Sequence, residues 1–190
     1  KKFYNQRKTA VPTPRVLIKS KPTEQVHIMV GVPGIRRTHP AKYALSIIDN
    51  VLGGSMSSRL FQRLREERGL VYNVYSDISL FSDTGAFAIY AGTGSTRVQE
   101  VIQVICGELR DLRKNGISQA EMARAKEHLK GTFLLGMEST TVRMNRLGFS
   151  EVCGEPLCTP DEVIQKIGSV SLDDVAELVE ELFREELYGV

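Results

Sequence analysis

Tyr72-Asn-Val-Tyr-Ser-Asp-Ile-Ser-Leu80 and Ala86-Phe-Ala-Ile-Tyr-Ala91 are separated by Phe81-Ser-Asp-Thr-Gly85. Both flanks are rich in β-branched and aromatic residues, which fit a pleated, half-buried surface. A five-residue link containing glycine suits a hairpin connection. Neighbouring strands joined this way pair antiparallel, and that pairing decides the fold class.

Upstream, Gln25 to Val32 puts Val26, Ile28 and Val30 on one face, the alternation of a half-buried strand, and Pro33-Gly34 ends it. Val16 to Ile18 is a further short strand candidate. Two helices are expected before the hairpin. The first places Pro40 at its first position behind Thr38 or His39, buries Ala44, Leu45, Ile48, Val51 and Leu52, and stops at Gly53-Gly54. The second opens at Ser57 or Ser58, turns Leu60, Phe61 and Leu64 inward, and stops at Gly69.

Downstream the pattern is helical. Val98, Val101, Ile102, Ile105, Leu109 and Leu112 form one stripe ending before Gly116. Capping boxes, in which a hydroxyl and an acid three residues on satisfy each other's backbone N–H, stand at Ser118/Glu121 and Thr159/Glu162. Ser171 with Asp174 caps a last helix, and a further helix is expected over Thr140 to Phe149. The predicted order is β-β-α-α-β-β followed by five helices. Paired strands favour an α+β fold, a two-layer sandwich of a mainly antiparallel sheet covered by helices.

The 190 residues are 42% hydrophobic and 25% charged, ordinary values that exclude a disordered or fibrous chain. Apolar runs are too short to span a bilayer. The net charge of +2 gives no support to nucleic-acid binding. Three cysteines with no CxxC argue against a disulfide scaffold. Residues 1–14 read as a linker or basic arm and 15–190 as one domain. The chain starts without Met and shows no signal peptide, so it reads as a piece of a longer, cytoplasmic protein. Nine Lys or Arg against Glu24 in residues 1–37, and eleven acids against Lys166 and Arg184 in residues 151–190, read mainly as solvated ends, or else as surfaces that meet a partner.

His27, His39 and His128 have no ligand spacing between them, and no metal role is expected. His27 reads as a sheet-face residue and His39 as a helix-start residue. Cys106 reads as buried. Cys153 and Cys158 read as unremarkable thiols, with a local redox pair as the alternative. The Gly92-Thr-Gly-Ser95 loop lacks the GK[ST] ending and reads as a capped strand-to-helix turn, with nucleotide binding as a weak rival. Arg59, Arg63, Arg65 and Arg68 crowd one short segment with only Glu66 and Glu67 to balance them. Taken alone they read as a solvated helix face.

The run Asn50-Val-Leu-Gly-Gly-Ser-Met-Ser-Ser-Arg-Leu-Phe-Gln-Arg-Leu-Arg-Glu-Glu-Arg-Gly-Leu-Val-Tyr-Asn-Val-Tyr-Ser76 strongly resembles the pitrilysin/insulinase zinc-metallopeptidase family (peptidase M16), in its processing-protease-like branch. Ala123 to Gly131 and Ser139 to Gly148 also fit, so the resemblance covers nearly the whole chain. It implies that an N-terminal half carries an inverted HxxEH zinc motif, absent here, and that this chain is similar to the C-terminal, metal-free half. It further implies that Arg65 and Tyr72, seven positions apart, contact the substrate carbonyl at the scissile bond. The physical logic agrees. Attack on a peptide carbonyl builds negative charge on its oxygen, and preorganised donors stabilise that charge. The resemblance implies no cofactor in this chain and zinc in the missing half. The implied partners are a peptide substrate and the preceding homologous zinc-bearing domain or subunit, with a homo- or hetero-dimer left open. The chain is expected to be inactive alone, although part of a zinc metalloendopeptidase. The alternative is a non-catalytic binding or structural subunit of the same superfamily.

Overall fold

In the computed structural model, which describes residues 15–190, alternation in the sequence becomes a three-stranded sheet. Strand β1 (Val26–Gly34) and strand β2 (Val71–Leu80) flank β3 (Gly85–Thr93), and both pairings are antiparallel. The link between β2 and β3 closes by Phe81 N–H donating to Thr84 O at 2.9 Å. Ile28, Val30 and Val32 of β1, Val71 and Val74 of β2, and Phe87, Ile89 and Ala91 of β3 are buried on one face. The opposite face keeps Met29, Tyr72 and Tyr75 exposed. The reading of residues 1–14 as a linker or arm lies outside the described residues.

Six helices follow from the stripes and caps: α1 (Lys42–Leu52), α2 (Val98–Asn115), α3 (Gln119–Met137), α4 (Thr140–Cys153), α5 (Pro160–Ser169) and α6 (Leu172–Leu182). Helices α1, α2 and α6 pack on the sheet, while α3 and α5 pack on α1. Leu45, Ile48, Leu52, Ile105, Leu109, Leu112 and Phe183 are fully buried between the layers. The Phe183 ring meets Phe87 edge-on at 5.2 Å, a favoured aromatic geometry. The α+β two-layer expectation holds. The capping boxes at Ser118/Glu121, Thr159/Glu162 and Ser171/Asp174 all form.

Four expectations need correction. Val16 to Ile18 is not a strand of the sheet. Leu17 N–H donates to Val190 O and Val190 N–H to Arg15 O, while Ile18 is 87% exposed. Gly189 in turn bridges Gly31 of β1. Helix α1 begins at Lys42, two residues beyond Pro40, because Thr38 to Ala41 forms a turn in which His39 Nδ1 accepts from Ala41 N–H at 3.1 Å. Helix α4 runs on to Cys153 and buries none of its residues. Between β3 and α2 lies a single 3-10 turn, Ser95–Arg97, with no side-chain cap.

Candidate functional site: the arginine segment and the bulge at Tyr72

The segment after α1 does not form an ordinary helix. Following a first turn at Arg59 and Leu60, Phe61–Glu66 winds as a π-helical segment. Glu67 N–H donates to Gln62 O, five residues back, at 2.9 Å, and Leu70 N–H donates to Leu64 O at 2.8 Å. Leu60 and Leu64 anchor it in the core. Gly69, at φ +56°, reverses the chain into β2, a conformation that glycine adopts without steric cost. Short π-helical segments recur at functional sites.

The four arginines have different fates. Arg59 is clamped: Nε donates to Glu121 Oε1 at 2.6 Å, Nη2 to Glu121 Oε2 at 2.9 Å and to Gly116 O at 2.9 Å, and Nη1 to Asp111 at 3.2 Å. This bonding holds Glu121 well below its ordinary value of 4.5, down to about 2. Arg63 Nη1 lies 2.7 Å from Glu108 Oε1. Arg68 meets Glu100 at 3.9 Å, a surface pair. Arg65 has no ion-pair partner among the described residues. It is exposed, with its guanidinium carbon 5.2 Å from the Phe61 ring centre.

Tyr72 owes its position to a β-bulge. Val71 pairs with Thr93 and Asn73 with Gly92, so Tyr72 is an extra residue in the ladder. Both Tyr72 and Asn73 then point out, and Val71 and Val74 both point in. Bulges re-aim side chains in this way. Tyr72 is 63% exposed. The structure thus places Arg65 and Tyr72 on consecutive elements, both open to solvent, but no hydrogen bond joins them. Beyond Tyr72 on the open face, Tyr75 stacks on Tyr90 at 4.9 Å, and Tyr90 Oη lies 2.7 Å from His27 Nδ1.

The donors of this chain do not suit a zinc ion. His27 is engaged with Tyr90, His39 with the Ala41 N–H, and His128 with Asn50 Nδ2 at 2.7 Å, each on a different element. Among the described residues no group of three His, Cys, Asp or Glu side chains could hold a metal. Cys106, Cys153 and Cys158 are free thiols, and Cys158 Sγ accepts from Lys166 at 2.9 Å. A cavity of about 630 Å³ lies between the start of α1, α5 and α6, and neither Arg65 nor Tyr72 lines it. The candidate site is an open surface. Among the described residues no helix is long and apolar enough to cross a membrane.

What sequence reading missed are the acids that hold the arginines. Glu108, Asp111 and Glu121 lie 45 to 62 positions from their partners. Glu108 falls beside the apolar stripe of α2, and that placement is the one signal that could have found it.

Comparison with known proteins identifies the family. The family model described as the peptidase M16 inactive domain matches residues 1–129. An uncharacterized zinc protease of Streptomyces coelicolor is 41% identical over 169 residues, covering 89% of this chain and 37% of that protein. Another, of Bacillus subtilis, is 41% identical over 170 residues, covering 90% of this chain and 42% of that protein. The chain therefore spans about two fifths of the length of these relatives. The crystal structure of a peptidase M16 inactive domain from Pseudomonas fluorescens superposes with a TM-score of 0.89 at 23% identity, over 98% of this chain and 44% of that one. With a family match over more than half its length and relatives 41% identical over about nine tenths of it, the chain belongs to the inactive-domain family of the M16 peptidases.

Proposed function

We propose that this domain is the substrate-completing half of a zinc-dependent endopeptidase. It lies against an extended peptide and presents Arg65 and Tyr72 to the carbonyl oxygen at the scissile bond. One observation carries the reading: of four arginines in one segment, three are paired with carboxylates of the domain itself and Arg65 is not. A guanidinium left without a partner keeps its full charge and donor fork for a ligand. The bulge that leaves Tyr72 exposed supports the same reading. As the oxygen gains negative charge, these two donors stabilise it more than they stabilise the ground state, which is what accelerates a reaction. The metal belongs to the other half, because the donors of this chain do not suit one. The three free thiols support a reducing, cytoplasmic setting.

The test is reconstitution. The purified domain is expected to be folded, inert towards peptides and free of stoichiometric zinc. The same domain joined to the zinc-bearing half is expected to hydrolyse peptides. Activity or one tightly held zinc in the isolated domain contradicts the reading. Full activity of the joined protein with both Arg65 and Tyr72 replaced favours a structural subunit instead.

A further inference from the structure

Glu108 is the anomaly of the domain. It sits within α2 with its carboxylate 2% exposed. Oε1 lies 2.7 Å from Arg63 Nη1, whereas Oε2 has no hydrogen-bond partner. A buried carboxylate with one oxygen unsatisfied is costly, and an apolar residue of like size would be cheaper there. Nothing in the packing of α2 requires an acid at this stripe-edge position, since Ile105, Leu109 and Leu112 supply its core contacts. What Glu108 does uniquely is reach across to the π-helical segment and hold Arg63, two residues before Arg65.

We propose that Glu108 is a positioning residue: through Arg63 it fixes the π-turn and so the direction in which Arg65 leaves the domain. The proposal rests on the reading of Arg65 given above. The π-turn is inherently weak, because its bonds span five residues or more and only Leu60, Leu64 and half-buried Phe61 seat it in the core. An ordinary α-turn over Phe61–Glu66 would rotate Arg65 about the segment axis. The clamp on Arg59 fixes the front of the segment and the Arg63–Glu108 pair fixes its middle. Arg65 is then free to carry charge outward without being free to wander. The charged groups facing Glu108 are Arg63 and Arg59 of the segment, Asp111 of α2 itself and Glu121 of α3. Burial raises the Glu108 carboxyl above its ordinary value, the two arginines oppose this, and the two acids add to it. Its grip on Arg63 therefore weakens at a higher pH than that of an exposed glutamate.

Two measurements test this, one without catalysis. In the isolated domain, Arg63→Met and Glu108→Gln are expected to speed amide exchange at Glu67 and Leu70, the donors that close the π-turn, by at least tenfold. Amides of α2 and α3 should change far less. Unchanged exchange at Glu67 and Leu70 overturns the proposal. In the protein joined to its zinc-bearing half, Arg63→Met is expected to lower kcat about tenfold with little change in KM, and to have no further effect when Arg65 is already Ala. Glu108→Gln is expected to lower kcat at pH values where the Glu108 carboxyl is ionised and to have little effect below them. An Arg63→Met effect that multiplies undiminished onto Arg65→Ala overturns the proposal, because Arg63 would then act independently of Arg65. If Arg65→Ala alone leaves turnover unchanged, it is the proposed function that fails, and the exchange experiment still decides the role of Glu108. Should either single variant not fold, Arg63→Met combined with Glu108→Leu, which leaves no unpaired buried charge, carries both readouts.

Discussion

Arg59 and Glu121 meet twice, Nε to Oε1 at 2.6 Å and Nη2 to Oε2 at 2.9 Å, and so tie the arginine segment to the start of α3. A two-pronged guanidinium–carboxylate pair is among the stronger polar contacts a protein makes. Its consequence can be read from acid. Folding lowers the Glu121 carboxyl from 4.5 to about 2, so this contribution is fully present above pH 4.5 and is lost as the pH falls towards 2. Glu121→Gln keeps the capping box with Ser118 but removes the charge. It is expected to cost about 1–2 kcal/mol at pH 7, allowing for solvent screening, and to flatten the stability curve between pH 4.5 and 2 in urea titrations.

Asp49 behaves in the opposite sense. Burial lifts its carboxyl from 3.8 to about 6; the Ser76 hydroxyl, 2.6 Å away, opposes this, and Asp77 adds to it. A raised acid prefers its proton in the folded state. Stability from this group therefore rises as the pH falls from above 6 to below 3.8. Asp49→Asn keeps an acceptor for Ser76 and is expected to stabilise the domain at pH 7 by on the order of 2 kcal/mol, with little effect near pH 4. A loss of stability at pH 7 in thermal melts would count against this account.

In the joined enzyme, Arg65→Ala or Tyr72→Phe is expected to lower peptide turnover roughly tenfold to a thousandfold with the melting temperature nearly unchanged. Arg65→Lys should recover only part, since an ammonium keeps the charge and loses the planar fork. Arg63, two positions away, is a poor control because its loss strands Glu108 in the interior. Arg68, loosely paired with exposed Glu100, is the clean one, and Arg68→Ala should leave turnover within about twofold.

Gly85 marks where β3 meets the chain leaving β1. A Cβ there would stand 2.1 Å from Ile35 O, backbone that cannot step aside. Gly85→Ala is expected to destabilise the domain by about 3 kcal/mol or more, or to prevent folding, read from denaturation midpoints. Gly94→Ala, where a Cβ meets nothing within 4 Å, is expected to be nearly neutral.

Local features were legible in the sequence and distant ones were not. The capping boxes at Ser118, Thr159 and Ser171 form because their partners lie three residues away. The stripe of α2 was readable because 3.6 residues per turn is a local rule. Val16 to Ile18 looks like a strand from its β-branched residues, but the groups it bonds to belong to Val190. The bulge left one trace, the three-residue step between buried Val71 and Val74, and strict alternation from Tyr72 passes over it. Arg65 and Tyr72 stood out only through their family resemblance. That Arg65, of the four arginines in its segment, is the one without an ion-pair partner among the described residues could not be read, because acids from two other helices decide it.

The pairing of Arg59, Arg63 and Arg68 with acids of the domain also sets how its surface answers to salt. An open cluster of four cations would draw in counterions and lose its pull steeply as ionic strength rose. Here three of the charges are met by carboxylates within the domain, and Glu66 and Glu67 stand beside Arg65, so the Arg65 charge is felt only at short range. Its attraction for an electron-rich group reaches only about one Debye length, roughly 8 Å at physiological ionic strength. A ligand must arrive by shape and backbone contact before that charge acts on it. Capture by this face should therefore be nearly indifferent to salt, while the bond made after capture should not.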